Sequence, residues 1–275
     1  MNINKIKVLY FSPCGSVEKV AKLVGERIAN RFNVEREFIS YTLAYEREVY
    51  HNFEQDDLLI WATPVYAGKV PNKTLDFINE KISSKGCLSV GIVVYGNRNY
   101  DNALAELSAI MKDKSMKLIG AACLVARHSF SNTLAKGRPN KEDISQIEDF
   151  ADNIAEKIEN SSKENIIEIS VPGEAEAPYY TPKKEDSQPA KFLKAKPKCK
   201  DELCKSCGLC EERCTMNSIH LENGKPMFEG ICIKCQACVR LCPKSAIYFD
   251  DEDLLSHIRM LEENYSTPRA NEFFL

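Results

Sequence analysis

No run of about 18 consecutive apolar residues, the length needed to cross a bilayer, occurs in this sequence, so no membrane span is expected. Positive charge is not in surplus either. The formal net charge is −3, whereas a nucleic-acid binder would carry a strong basic excess. The layout of a signal peptide is also missing, because the apolar run within Met1–Phe11 passes directly into a strand-and-turn pattern. Twelve cysteines without an export signal do not read as a disulfide framework. A cytoplasmic protein is expected, and there clustered cysteines read as metal ligands.

What is present suits two domains. The chain has 275 residues, 44% of them hydrophobic and 28% charged, as in ordinary globular proteins. Residues 1–164 alternate strand-like runs (Ile6–Phe11, Val34–Ile39, Asp57–Ala62, Leu88–Tyr95, Lys117–Ala126) with amphipathic helical stretches (Val17–Phe32, Asn72–Ile82, Asp101–Lys114, Glu142–Glu159). This βαβ rhythm predicts an α/β domain with a parallel sheet covered on both faces. Residues 165–198 carry Pro172, Pro178, Pro182, Pro189 and Pro197 among many lysines, the composition of a fairly extended linker. A compact module is expected over 199–252, and a C-terminal helix or tail over 253–275.

The module holds a duplicated motif. Cys204, Cys207, Cys210 and Cys214 recur 28 residues later as Cys232, Cys235, Cys238 and Cys242, the last followed by Pro243. The echo continues: Ser218-Ile219-His220-Leu221 aligns with Ala246-Ile247-Tyr248-Phe249. Three thiolates at i, i+3 and i+6 converge on three corners of an iron–sulfur cube, and the fourth cysteine reaches across to the other cube. One [4Fe–4S] cluster is therefore expected on Cys204, Cys207, Cys210 and Cys242, and a second on Cys232, Cys235, Cys238 and Cys214. Paired C-x2-C elements also build zinc sites, but zinc takes two pairs, and a triplet with an offset fourth cysteine fits cubes better. Each oxidised cube with its thiolates would add about two negative charges. Cys87 and Cys123 read as small core residues. Cys199, five residues before the first ligand, reads as a spectator because both quartets are complete without it.

The first domain offers three loops after strands. Ser12-Pro13-Cys14-Gly15-Ser16-Val17 opens a helix, where backbone N–H groups and short hydroxyls suit a phosphate. Thr63-Pro64-Val65-Tyr66-Ala67-Gly68-Lys69-Val70-Pro71 follows the third strand, and Tyr95-Gly96-Asn97-Arg98-Asn99-Tyr100-Asp101 the fourth. These loops resemble those of flavodoxin. The whole chain resembles a family of anaerobe and archaeal proteins that fuse a flavodoxin-like domain to a bacterial-type two-cluster ferredoxin.

The resemblance implies a flavodoxin-like doubly wound parallel sheet followed by a small α+β ferredoxin domain. It implies FMN, with its phosphate on Ser12, Cys14, Gly15, Ser16 and Val17. Its ring would lie between Pro64, Val65, Tyr66, Ala67 and Gly68 on one loop and Gly96, Asn97, Arg98, Tyr100 and Asp101 on the other. Tyr66 and Tyr100 are the stacking candidates. Cys14 and Val17 stand where that family usually has threonine. The loop after the fifth strand carries His128 and Arg138, candidate lid or substrate contacts.

The function expected is electron transfer through the clusters, coupled to FMN and to a redox partner protein. Two rivals stay open: a flavin-dependent reductase of a small substrate, and a ferredoxin whose flavodoxin-like domain has lost FMN and only docks partners. The sequence sets neither the partner nor the oligomeric state.

Overall fold

The computed structural model describes residues 3–162 and 165–275. The expected end of the first domain, at residue 164, lies outside the described residues. The chain opens with strand β1 (Lys5–Tyr10), helix α1 (Ser16–Phe32) and strand β2 (Glu35–Ser40). A 3-10 turn over Ala44–Glu48 leads to a short strand β3 (His51–Phe53) and to β4 (Asp57–Pro64). Then come α2 (Leu75–Lys81), a short β5 (Ile82–Ser84), β6 (Leu88–Tyr95), α3 (Ala103–Asp113), β7 (Lys117–Val125) and α4 (Lys141–Glu159).

The five long strands form a parallel sheet in the order β2-β1-β4-β6-β7. Counted among themselves they run 2-1-3-4-5, the doubly wound order of the flavodoxin-like fold. Because side chains alternate along a strand, one run of residues serves two cores. Leu58, Ile60 and Ala62 pack with Val20, Val24 and Ile28 of α1 and with Phe150 and Ile154 of α4. Leu59 and Trp61 pack on the other face with Leu104, Leu107 and Met111 of α3. Fully burying one such aliphatic side chain contributes about 1.5–3 kcal/mol. Cys87 and Cys123 lie in that second core, each with no exposed surface.

Past α4 the described residues form no helix or strand until β8 (Lys198–Cys199), but the chain is held down along the way. Ile166 enters the first core. The Ile169 N–H donates to the Leu118 carbonyl (2.9 Å) and the Tyr180 N–H to the Ala67 carbonyl (2.8 Å). Lys69 donates to the carbonyls of Ala175 and Ala177. The segment expected as an extended tether is therefore a strap across the sheet edge.

The cysteine module follows with α5 (Leu209–Glu212), β9 (Ile219–Glu222), β10 (Lys225–Phe228), α6 (Ala237–Leu241) and β11 (Ile247–Tyr248). β9 pairs with β10, and β11 pairs back onto β8, both antiparallel. The duplication is visible in the backbone. Ser206, Gly208 and Asn217 have φ of 53°, 77° and 49°, and Lys234, Gln236 and Ser245, each 28 residues on, have 56°, 67° and 50°. Equivalent amides also reach equivalent sulfurs: Ser218 N–H to Cys214 Sγ (3.2 Å) and Ala246 N–H to Cys242 Sγ (3.3 Å).

Helix α7 (Glu252–Asn264) then returns the chain to the first domain. There β12 (Glu272–Phe274) adds antiparallel to β7 as the sixth strand of the main sheet. The expected C-terminal helix is present, and the tail after it is an edge strand.

Candidate redox site between the sheet edge and the cysteine loops

The eight cysteines sort into two sets. Cys204, Cys207, Cys210 and Cys242 line one small cavity, and Cys214, Cys232, Cys235 and Cys238 line another. The cysteine lining of each cavity has the same membership as one of the two sets proposed from the spacing. Among the described residues, no three His, Cys, Asp or Glu side chains converge to hold a single metal ion; the sulfurs border cavities. Burial dominates the chemistry of Cys232, Cys235 and Cys238. It pushes the Cys235 thiol up to about 12 and the Cys238 thiol higher still. Without a bound cation these groups stay protonated, as thiols in apolar surroundings do.

Cys199 lies beside the first set. Burial, and then a hydrogen bond with Cys204, push its thiol up to about 12.

A third cavity, of about 530 Å³, opens where the C-terminal ends of the sheet strands meet the second cysteine loop. Ser12, Cys14, Ser16 and Val17 contribute from the loop before α1 and its first turn, and Pro64, Val65, Tyr66, Ala67 and Gly68 from the end of β4 and the loop after it. Gly96 and Arg98 contribute from the loop after β6. Its remaining walls come from elsewhere in the chain, among them Ile231, Cys232, Ile233 and Cys235 of the cysteine module. These four residues also line the second cysteine cavity, so the two cavities share one wall. The contact is direct: Cys14 Sγ donates to the Cys235 carbonyl at 3.2 Å.

The phosphate loop is locally explained. Gly15 takes φ +85° as it precedes α1, and the Ser12 hydroxyl accepts the Glu18 N–H (2.9 Å). The first N–H groups of α1 have no carbonyl within the helix to meet, which leaves a place for an anion. Burial pushes the Cys14 thiol up to about 11 against the opposing pull of Arg240 and Arg127, so two cations stand near this loop. Hydroxyl, open amides and nearby guanidinium groups suit a phosphate monoester. The cavity volume is in the range of cofactor sites.

Not every expected residue faces the cavity. Tyr66 does, and it is desolvated against the second cysteine loop: burial first, and then the Cys235, Cys14 and Cys232 thiols, raise its hydroxyl well above the ordinary range. Tyr100 does not. Its hydroxyl donates to Glu272 of β12 (2.8 Å) and its ring meets Tyr95 edge-on, so it fastens the tail. Asn97 is also taken by the tail: its amide donates to the Tyr265 and Thr267 carbonyls, and its oxygen accepts the Arg269 N–H. Gly15 and Asp101 stand behind the walls, Asp101 paired with Arg98.

His128 lines the cavity, and burial, reinforced by His257, Arg98 and Arg240, pushes its imidazole down to about 3. Arg138 pairs with Asp143 at the start of α4 and donates to the Arg269 carbonyl, a structural role far from a lid. Tyr180, Phe192 and His257 complete the cavity from the strap and α7. No local pattern marked them, because they arrive through long-range packing.

The sequence matches no protein-family model and no curated protein. Among solved structures, a flavodoxin from the domain Archaea is 17% identical, covering 57% of this chain and 99% of its own, with a TM-score of 0.42. The Streptococcus pneumonia TIGR4 flavodoxin is 20% identical, covering 56% and 99%, with a TM-score of 0.40. An NADH:FMN oxidoreductase in its apo form is 15% identical, covering 60% and 95%, with a TM-score of 0.42. The fold assignment rests on the strand order itself.

Proposed function

We propose that this chain is an electron-transfer protein in which two [4Fe–4S] clusters and FMN lie in one continuous row. The observation that carries the reading is the wall shared by the second cysteine cavity and the large cavity. Cys204, Cys207, Cys210 and Cys242 would hold one cluster; Cys232, Cys235, Cys238 and Cys214 would hold the other. FMN would take its phosphate on Ser12–Val17 and its ring near Tyr66 and Gly96. When bound, the clusters supply one-electron exchange and FMN supplies the exchange between single electrons and pairs.

The residues do the rest. The buried thiols need the positive charge of iron to ionise, which makes the second site selective for a cationic centre. Ile233, half-buried, gives the wall between the cavities apolar surface. Cys207 is an exposed cysteine, and its loop is the place for a redox partner protein to approach.

Anaerobic isolation tests the reading. About eight iron and eight acid-labile sulfide per chain are expected, with one FMN released on denaturation. About two zinc and no sulfide would overturn the cluster assignment. Clusters without flavin would favour a first domain that only docks partners.

A further inference from the structure

Part of the large cavity's wall lies outside the loops assigned to FMN. It consists of His128 and Phe130 after β7, Tyr180 and Phe192 from the strap, and His257 from α7. These rings touch in a chain. His128 to Phe130 is 5.5 Å between centroids, Phe130 to His257 6.4 Å, His257 to Phe192 5.5 Å and His257 to Tyr180 6.5 Å. The Arg98 guanidinium lies 3.9 Å from the Tyr180 ring centre. A connected aromatic wall favours a flat, conjugated ligand that can stack or meet ring edges.

The two histidines add polarity of opposite kinds. His128 Nδ1 accepts the Phe130 N–H at 3.1 Å, so the proton of this neutral ring sits on Nε2, a donor. His257 Nδ1 lies 2.7 Å from the Lys183 carbonyl, which can only accept, so its proton sits on Nδ1 and Nε2 is a lone pair. Burial disfavours the charged form of both rings. Arg98 is balanced by Asp101. The two imidazoles therefore offer one donor and one acceptor, alongside the Tyr180 hydroxyl, and the charge of Arg98 is paired.

We propose that this wall is a second binding subsite, beside FMN, for a small neutral planar compound bearing a conjugated carbonyl and a hydroxyl. The carbonyl accepts from His128 Nε2–H and the hydroxyl donates to His257 Nε2. The inference rests on the FMN reading of the neighbouring loops. It makes the cavity the site of a small molecule as well as of a cofactor.

Calorimetric titration of the anaerobic, fully loaded protein with 4-hydroxyacetophenone, acetophenone and phenol tests it. The first should bind, and each of the others about fivefold more weakly, the loss expected for one neutral hydrogen bond. His257→Leu should weaken 4-hydroxyacetophenone to the level of acetophenone, leave acetophenone unchanged and keep the flavin content. Equal binding of the three probes, or no heat from any, overturns the subsite. So does loss of flavin from His257→Leu and Tyr180→Leu in step with loss of the probe, because the wall would then hold FMN itself. The three-probe comparison on the unaltered protein stands even if the variants do not fold. Flavin-free wild type would overturn the FMN reading and the subsite with it; flavin present with failed probes would overturn the subsite alone.

Discussion

A β-carbon placed on Gly15 would meet nothing within 4 Å, yet its φ of +85° is costly for any residue with a side chain. The penalty of Gly15→Val is therefore conformational, about 1–2 kcal/mol. We expect a melting temperature lower by several degrees and a clearly weaker FMN affinity, measured by calorimetry and by fluorescence of released flavin. Gly15→Asn, which tolerates the left-handed region, should retain more of both.

Cys199 and Cys207 make a sharper contrast. Cys199→Ser should leave iron content and the reduced-state magnetic resonance spectrum as they are; Cys207→Ser should lose or convert one cluster. A cluster lost from the Cys199 variant would reassign the first quartet. His128 gives a pH dependence. Its folded pKa lies below its unfolded value of 6.5, so the unfolded chain binds a proton that the folded one refuses. Its contribution to stability is present above pH 6.5 and is lost as pH falls toward 3. The stability difference between wild type and His128→Gln, from denaturant melts, should shrink over that window.

At the scale of elements, the tail is the instructive case. Its strand β12 covers the β7 edge, and Asn97, Tyr100 and Asn271 tie it in, Asn271 by accepting the Val125 N–H at 2.9 Å. Deleting residues 266–275 exposes that edge and takes from Asn97 its contacts with Thr267 and Arg269, leaving the one to the Tyr265 carbonyl. The expected outcome is a markedly lower melting temperature and concentration-dependent association, read by light scattering. Nothing local announced this strand: Glu272-Phe273-Phe274 is too short to show a period.

The four central strands were legible because buried parallel strands read as dense apolar runs, and the two sets of cysteines because the same spacing repeats 28 residues apart. The strand order, the paired β3 and β5, and the strap were not. Prolines in 165–198 signal an extended chain, but whether that chain is pinned depends on partners such as Leu118 and Ala67, distant in sequence. The same limit misdirected Tyr100: its loop was located, but the carboxylate that claims its hydroxyl lies 172 residues away.

For the whole molecule, the fasteners between the halves are short-range. Arg240 of α6 donates to the Ser129 carbonyl (2.8 Å), the His128 carbonyl (3.0 Å) and Asn132 Oδ1 (2.9 Å). Lys234 ties the module to the strap through the Leu193 carbonyl. Electron passage from clusters to flavin, followed optically after photoreduction, should therefore proceed at a rate independent of protein concentration. Charge reversal at Lys191 should change it little, because Lys191 engages Asp253 through its backbone N–H. Arg240→Ala should slow it substantially. A rate rising linearly with protein concentration would place the transfer between molecules.

Under the proposed function, the wall of Ile231–Cys235 would make the cofactors' histories inseparable. A partition common to two chambers cannot lose its filling on one side and keep its shape on the other. If oxygen strips the proposed second cluster, Cys232 and Cys235 would be freed, and the large cavity would lose one of its sides. By thermodynamic reciprocity, flavin binding must then favour cluster retention by the same factor that the cluster favours flavin. A damaged molecule would shed both cofactors together, so ageing in air should yield full and empty chains with few half-loaded ones between them.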